Sequence, residues 1–467
     1  MGRTPGLEDN KMRSRPMGRL LFGMALPLAL SMLVQALYNI VDSIYVAQIS
    51  TEAVTSLSLA FPVQNLQIGF ATGIAVGMNS LLSKSLGEGN RDRANRAAGN
   101  GIFLMLVAVA LFMLFGLFGA RSFYAMQTDV KAVVDGGTAY TSICCIWTVG
   151  IFVEVMGERL LQASGRTIYT LFTQGTGAVL NILLDPLFIF GFEPLGIPAM
   201  GIAGAAVATV IGQWVAAIMA VIFNLTRNPD VQFGFKYLRP QSDIARIILS
   251  VGIPSVLMMA IGSVMNFGMN QILLSFGALG LIGSAVFGLY FKLQSFVFMP
   301  VFGLNNACIS IIAYNYGARQ PKRITGAIKL TLLSALSLML LGMAAFLLVP
   351  ETLMGFFANE NQADAQALVD MGAVALRTIC LSFPMAAVGI ALSSSFQALG
   401  VGIYSTIASL CRQLVVLLPV AWLLSLTGQV NSVWLAFPIA EVFSLMVVLF
   451  LYRRIYKNKI KPLYEVK

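Results

Sequence analysis

Apolar and polar residues alternate along this chain in long blocks. Twelve apolar blocks can be marked, at about 20–46, 56–84, 95–120, 133–161, 167–191, 200–224, 247–275, 281–313, 328–350, 368–396, 403–426 and 432–452. Most exceed the roughly 20 apolar residues that cross a bilayer as a helix. The second six echo the first six. Around Gly73 the chain reads GIAVGMNSLLSKSLGEGNRDRANRA, and around Gly303, 230 positions on, GLNNACISIIAYNYGARQPKRITGA. Gln64, Gly73, Ser80, Gly87, Arg93 and Ala97 fall on Gln294, Gly303, Ser310, Gly317, Arg323 and Ala327. A second echo, at a spacing of 235, sets Gln162–Gly165 and Tyr169 on Gln397–Gly400 and Tyr404. Pro27 and Pro254 open the first long helix of each half.

Six spans is an even number, so both halves enter the membrane in the same direction. They form parallel repeats about an axis along the membrane normal, with a substrate path between them. The expectation is an all-α integral membrane protein, twelve transmembrane helices in two six-helix lobes. Its parts are an N-terminal segment (1–19), an N-lobe (20–224), a linker (225–246), a C-lobe (247–452) and a basic tail (453–467).

Composition agrees. Only 11% of residues are charged and 58% are hydrophobic, against about 25% charged in soluble domains. The net charge of +10 sits in short loops and at the ends, which argues against nucleic acid. Arg13, Arg15 and Arg19 precede the first span, and Lys84, Arg91, Arg93 and Arg96 join spans 2 and 3. Arg227, Lys236, Arg239 and Arg246 lie between the halves, and Arg319, Lys322 and Arg323 between spans 8 and 9. Arg453, Arg454, Lys457, Lys459 and Lys461 follow the last span. With twelve spans these fall on one side, which the positive-inside rule makes the cytoplasm, with both termini. Asp129, Glu193, Glu351 and Glu360 then lie on the opposite side. The five cysteines lie in apolar blocks without metal spacing, and histidine is absent, which removes His-based metal sites and imidazole relays. No small-residue cleavage site follows the first apolar run, so no removable signal peptide is expected.

Ionisable residues at bilayer depth are functional candidates by default. Asp42 near the end of span 1, Asp185 late in span 5 and Thr209 early in span 6 share the outer half. Asn181 lies four residues before Asp185, on the same helix face, and Gln35 and Tyr38 share the face of Asp42. Two carboxylates close together in a poor dielectric cannot both stay ionised cheaply. One takes a proton, or the pair shares a hard cation through oxygen ligands. The bland alternative is a hydrogen-bonded cluster that fixes helix packing. Glu154, Glu158 and Arg159 read as a helix-end salt bridge or gate on span 4. In the second half Lys292, Arg377, Arg412 and Glu441 fall within spans, and Lys292 or Arg412 can pair with Glu441.

These residues carry a resemblance. NILLDPLFIFG at 181–191, GIAGAAVAT at 201–209, YNIVD at 38–42, LQASG at 161–165 and YNYGA at 314–318 are similar to multidrug and toxic compound extrusion transporters, among bacterial ones the MepA-like group. The resemblance spans nearly the whole chain. It implies a non-enzymatic antiporter of the bacterial inner membrane that expels amphipathic, often cationic, drugs against entering H+ or Na+. It implies that Asp42, Asn181, Asp185 and Thr209 form the coupling site, able to take H+ or Na+; by their own positions Gln35, Tyr38 and Glu154 are candidate supporting residues. No cofactor beyond the ion, no nucleotide partner and a monomer among membrane lipids are expected. Some relatives use acids in spans 7 and 10 for sodium, and here those spans hold none beyond Asp370 at an edge. A GxxxxGK[ST] phosphate loop is missing, against an ATP-driven pump. Gly87 lies four residues from Asp92-Arg93, and Ala94 and Asn95 break the rest of the major-facilitator motif. A lipid-linked precursor flippase of the same superfamily is the alternative.

Overall fold

The computed structural model describes residues 10–356 and 365–465. Glu360, expected on the acid-bearing side, lies outside the described residues. Among them the chain is helical, apart from an isolated bridge between Phe192 and Ile197. The helices are α1 (Met17–Ala47), α2 (Thr51–Gly87), α3 (Arg91–Ala125), α4 (Lys131–Ile146 joined to Val149–Ala163), α5 (Ile168–Ile189) and α6 (Ile202–Arg227). The second half supplies α7 (Ser242–Leu274), α8 (Ala278–Gly317), α9 (Pro321–Leu348), α10 (Ala365–Ala398), α11 (Gly402–Ser425) and α12 (Val430–Glu465).

Ten of these are long and apolar enough to cross a membrane, and α4, bent by 45° at its break, makes an eleventh. The remaining helix, α5, is diluted by Thr173, Gln174, Asn181 and Asp185, the residues that give it chemistry. Pro27 and Pro254 do not open their helices: α1 and α7 begin at Met17 and Ser242, and the prolines lie inside them. An interior proline removes one backbone hydrogen bond without ending a long helix whose neighbours are packed. Side-chain caps start α2 and α3, where Ser50 and Asn90 accept from the backbone N–H of Ala53 and Arg93. The turns that follow α4 and α10 are the echoed segments. Gly165 and Gly400 sit there at φ +80° and +72°, a left-handed stop that favours glycine.

Within the N-lobe, α5 packs on α6 and α1, and α4 on α6 and α2. Within the C-lobe, α8 packs on α9 and α10, and α7 on α11. The lobes meet by crossing, with α2 against α7 and α8, and α1 against α8. The repeated glycines are the crossing points. A Cβ on Gly87 would lie 1.9 Å from the Tyr314 carbonyl oxygen, and one on Gly317 would lie 2.0 Å from that of Lys84. Likewise Gly73 meets Gly252, and Gly303 meets Ala29. Only glycine lets backbones approach this closely in a membrane.

Polar contacts stitch the same end. Ser310 Oγ donates to Asn79 Oδ1 at 3.2 Å, Ser80 Oγ to the Gln397 carbonyl at 3.0 Å, and Arg159 Nη1 to Asn306 Oδ1 at 3.0 Å. The segment before α1 is clamped here as well. Met12 is fully buried, and Arg323 Nη2 donates to the carbonyls of Met12 and Arg15, each at 2.9 Å. The linker before α7 makes the reciprocal crossing, its Gln232 and Gln241 N–H groups donating to Asn95 and Asn100 on α3. Further along, Asn65 Nδ2 of α2 still donates to Ser263 Oγ of α7 at 3.2 Å, while the seam face of α8 opens. Along the α8 face that bears Gly303 and Ser310, both buried, exposure appears at Phe296, Lys292, Gly288 and Ala285. The lobes are closed together at the end where α1 starts and α12 stops, and open into a cleft at the other.

Candidate coupling site in the N-lobe

The four expected residues come from three helices. Asn181 and Asp185 lie one turn apart on α5, both buried, and Asn181 Nδ2 donates to Asp185 Oδ1 at 3.2 Å. The same amide reaches Thr209 Oγ1 on α6 at 3.2 Å. Packing of α5 on α6 through Gly177 and Gly212, whose backbones nearly touch, sets this pair in register. Asp42 enters from α1 and is within electrostatic reach of Asp185. Tyr38, with Gln35 on the same face of α1, feels Glu154, Asp42 and Asp185 together. So the structure gathers Gln35, Tyr38, Asp42, Glu154, Asn181, Asp185 and Thr209 around the lobe interior.

The cluster is short of donors. Asp42 Oδ1, Asn181 Oδ1 and Asp185 Oδ2 are buried and accept no hydrogen bond from the protein. Buried polar groups are almost always partnered, and three lone acceptor oxygens in one cluster with two carboxylates call for a positive partner. Among the described residues no group of three or more His, Cys, Asp or Glu can hold a metal ion. The donor set is instead two carboxylates, an amide oxygen and a hydroxyl, hard oxygens that suit a proton or an alkali cation.

Tyr140 is a neighbour that sequence reasoning did not single out. It is buried, within electrostatic reach of Asp42 and Tyr38, and its hydroxyl accepts from Gln64 Nε2 at 2.8 Å. The signal was present in Gln64, one of the repeated positions. Its counterpart Gln294 lines the equivalent interior of the C-lobe.

The remaining candidates are placed differently from expectation. Glu158 and Arg159 form no salt bridge, since adjacent residues point to different faces of a helix. Glu158 accepts from Thr173 (2.7 Å) and Gln174 (3.0 Å) on α5, while Arg159 turns to Gln162 and, across the lobe seam, to Asn306. Arg377 is half exposed and pairs with Glu351 at 2.8 Å. Arg412 does meet Glu441, at 3.2 Å, from a π-helical stretch of α11 (Cys411–Leu417). That pair borders a C-lobe cavity of about 300 Å³ that Tyr290, Gln294, Asn266 and Gln413 also line. Lys292 is not part of the pair. It is exposed, on a face of α8 about 100° from the Phe291 face that lines the cavity.

A twelve-helix bundle of two crossed six-helix lobes, with a polar cluster inside one of them, defines a multi-pass membrane transporter. The chain belongs to the MatE family, whose model matches residues 27–187 and 254–423, one segment in each lobe. It is 26% identical over 468 residues to the FAD transporter of Shewanella oneidensis, covering 95% of this chain and 96% of that protein. It is 23% identical over 440 residues to multidrug export protein MepA of Staphylococcus saprophyticus, covering 93% and 94%. Among solved structures, MATE in complex with MaL6 superposes with a TM-score of 0.90 at 24% identity, over 99% of this chain and 100% of that one. An outward-facing multidrug resistance MATE family transporter of the MOP superfamily does so with 0.90 at 24%, over 100% of each.

Proposed function

We propose that this protein exports amphipathic organic cations and related drugs in exchange for inward H+ or Na+, by alternating access of its two lobes. The observation that carries the reading is the trio of lone buried oxygens on Asp42, Asn181 and Asp185. A cation taken up there supplies the missing positive partner, and α1, which carries Asp42 and is weakened at Pro27, is the helix that responds. With the termini in the cytoplasm of a bacterial inner membrane, the open cleft faces outward and the present state is the one that loads the ion. A monovalent cation entering down 100 mV yields ~2.3 kcal/mol, enough to sustain roughly a 50-fold gradient of neutral cargo. A cationic cargo exchanged one for one gains nothing from the potential and depends on the ion's chemical gradient.

The likeness to the FAD transporter favours a second reading, export of a flavin dinucleotide. The flippase alternative rests on Lys292 alone, since Arg412 is engaged by Glu441. The test is transport in proteoliposomes under an imposed pH gradient, with a sodium gradient in parallel, using ethidium and FAD as probes. Gradient-driven ethidium transport that disappears in Asp42→Asn is expected, and the working gradient names the ion. Transport independent of both gradients, or an Asp42→Asn protein as active as the parent, overturns the coupling site.

A further inference from the structure

Lys292 is the one charge at membrane depth on α8, and among the described residues it has no ion-pair or hydrogen-bond partner. Two independent arguments fix where it faces. The first is helical phase. Gly303 packs on Ala29 of α1, Ser310 donates to Asn79 of α2, and Asn306 accepts from Arg159 of α4, all across the lobe seam. At about 100° per residue, Lys292 projects within about 20° of Gly303 and in the direction of Ser310. Pro300 lies inside this helix, but the helix stays a single span from Ala278 to Gly317, and the exposed Phe296 and Lys292 continue the seam face past it, so Lys292 is on the side of α8 turned to the N-lobe. The second is the repeat. The counterpart of Lys292, 230 positions earlier, is Pro62 on α2, and it too is exposed, as expected for positions that flank the cleft on the pseudo-twofold axis.

Its depth follows in the same way. Eleven residues from Gly303 make about 16 Å of helix, which on the antiparallel α1 leads from Ala29 to about Asn39, one turn from Asp42. The cleft therefore has a lone ammonium on its C-lobe wall, level with the acidic cluster behind its N-lobe wall. The neighbours on the Lys292 face are Ala285, Gly288, where an added Cβ would meet nothing, and Phe296. They leave the ammonium room for a ligand group over an apolar floor. Open to water, Lys292 is solvated. When the lobes close around cargo that water leaves, and an unpaired cation at bilayer depth is costly.

We propose that Lys292 is a specificity-determining residue that receives an acidic group, carboxylate or phosphate, on the transported molecule. This rests on the export reading and names a substrate class within it: compounds that carry an anionic group beside an aromatic or cationic body. Such cargo satisfies the ammonium by a charge-assisted hydrogen bond and lays its flat part on the apolar wall around Phe296.

The test uses the full chain in proteoliposomes with two matched pairs, norfloxacin against its methyl ester and flavin mononucleotide against riboflavin, plus ethidium. The pairs separate carboxylate from phosphate as the acid received. The parent is expected to favour the acidic member of at least one pair by about tenfold in KM, the scale of one charge-assisted hydrogen bond. Lys292→Gln should erase that preference and keep ethidium transport within about twofold, while Lys292→Arg should retain the preference. A parent with no preference in either pair, a preference that survives Lys292→Gln, or a parallel loss of ethidium transport overturns the assignment. Failure of ethidium transport in the parent overturns the export reading itself and is distinguishable on that ground.

Discussion

Replacing Gly87 with alanine attacks the closed end of the molecule at one atom. The new Cβ would stand 1.9 Å from the Tyr314 carbonyl oxygen, where 3.0 Å is the closest that real Cβ contacts come. The obstacle is backbone on both sides, so no rotamer relieves it and α2 and α8 must separate by about 1 Å. Overpacking of this kind costs about 1–3 kcal/mol. Under the proposed alternating access the contact belongs to the state closed at this end and is absent from the other, so the cost falls on that state alone. At ~2 kcal/mol the balance between the two states shifts by about 30-fold. Gly317→Ala strikes the same crossing from the other helix, against the Lys84 carbonyl. Once one substitution has parted the helices the second adds little, so the double variant should show strong non-additivity. The assay is pulsed electron spin resonance between labels at Asp92 and Lys322, equivalent exposed positions at the starts of α3 and α9. The parent should give a short distance, and Gly87→Ala should populate a longer one. Gly326→Ala, where an added Cβ meets nothing, should match the parent. A Gly87→Ala distribution superimposable on the parent's refutes the argument that this contact belongs to one state.

Three further outcomes follow from other contacts. Arg412→Met leaves Glu441 unpaired and should cost roughly 1–3 kcal/mol, less than the roughly 3–5 kcal/mol of a fully buried pair because the two side chains are 29% and 12% exposed. Arg412→Met with Glu441→Met should recover most of it in a thermal melt, and a double variant worse than the single contradicts this. Gly165→Ala forces a left-handed residue, at about 1–2 kcal/mol, and its Cβ would lie 2.9 Å from Lys11 Cε. A spin label at Arg13 should then become mobile, and an unchanged spectrum rejects the role of Gly165 in docking that segment. Burial, with Arg15 and Arg166 nearby, holds the Lys11 ammonium below the usual lysine range. For a base whose folded value is depressed, docking is penalised while the group stays protonated and strengthens as pH rises through the depressed value. The Arg13 label should therefore become less mobile on going from about pH 7 to pH 10, while Lys11→Met stays immobile throughout.

Much of this architecture was readable in one dimension because the repeat is real at the level of contacts. Gly87 with Gly317, and Gly73 with Gly303, stand out in the sequence as echoed glycines, and in the structure each is a place where two lobes touch. The Asn181–Asp185–Thr209 bonds were readable from the four-residue spacing and from the depths of α5 and α6. What was not readable is partner choice. Arg159 sits beside Glu158 in sequence, yet helix phase sends it to Asn306 in the other lobe. Tyr140 looks like any aromatic core residue until Gln64 is placed beside it. Lys292 and Arg412 have similar chemistry in the sequence, and only the phase of α8 separates a cleft charge from a lobe-interior pair.

The fold duplicates geometry and lets chemistry diverge, and that divergence says how the halves divide the work. At the positions that answer to Asp42 and Asp185 the C-lobe carries Met269 to Gln271 and Leu417 to Val420, so a second acidic cluster is not repeated there. At the positions flanking the cleft the N-lobe carries Pro62 and the C-lobe Lys292. Under the proposed function the N-lobe therefore senses the ion and the C-lobe reads the cargo. The two must communicate, and the shortest physical route is α1. It carries Asp42 near its outer end and Ala29, the seat of Gly303, nearer its start. Any movement of α1 that follows neutralisation of Asp42 is transmitted to that seat, because the close approach at Gly303 leaves no slack. α8 carries both Gly303 and Lys292 on one face, so the same displacement reaches the cargo anchor. Ion and cargo are then coupled through two helices in direct contact, α1 and α8, and substitutions that loosen the Ala29–Gly303 contact should uncouple them without touching either ligand.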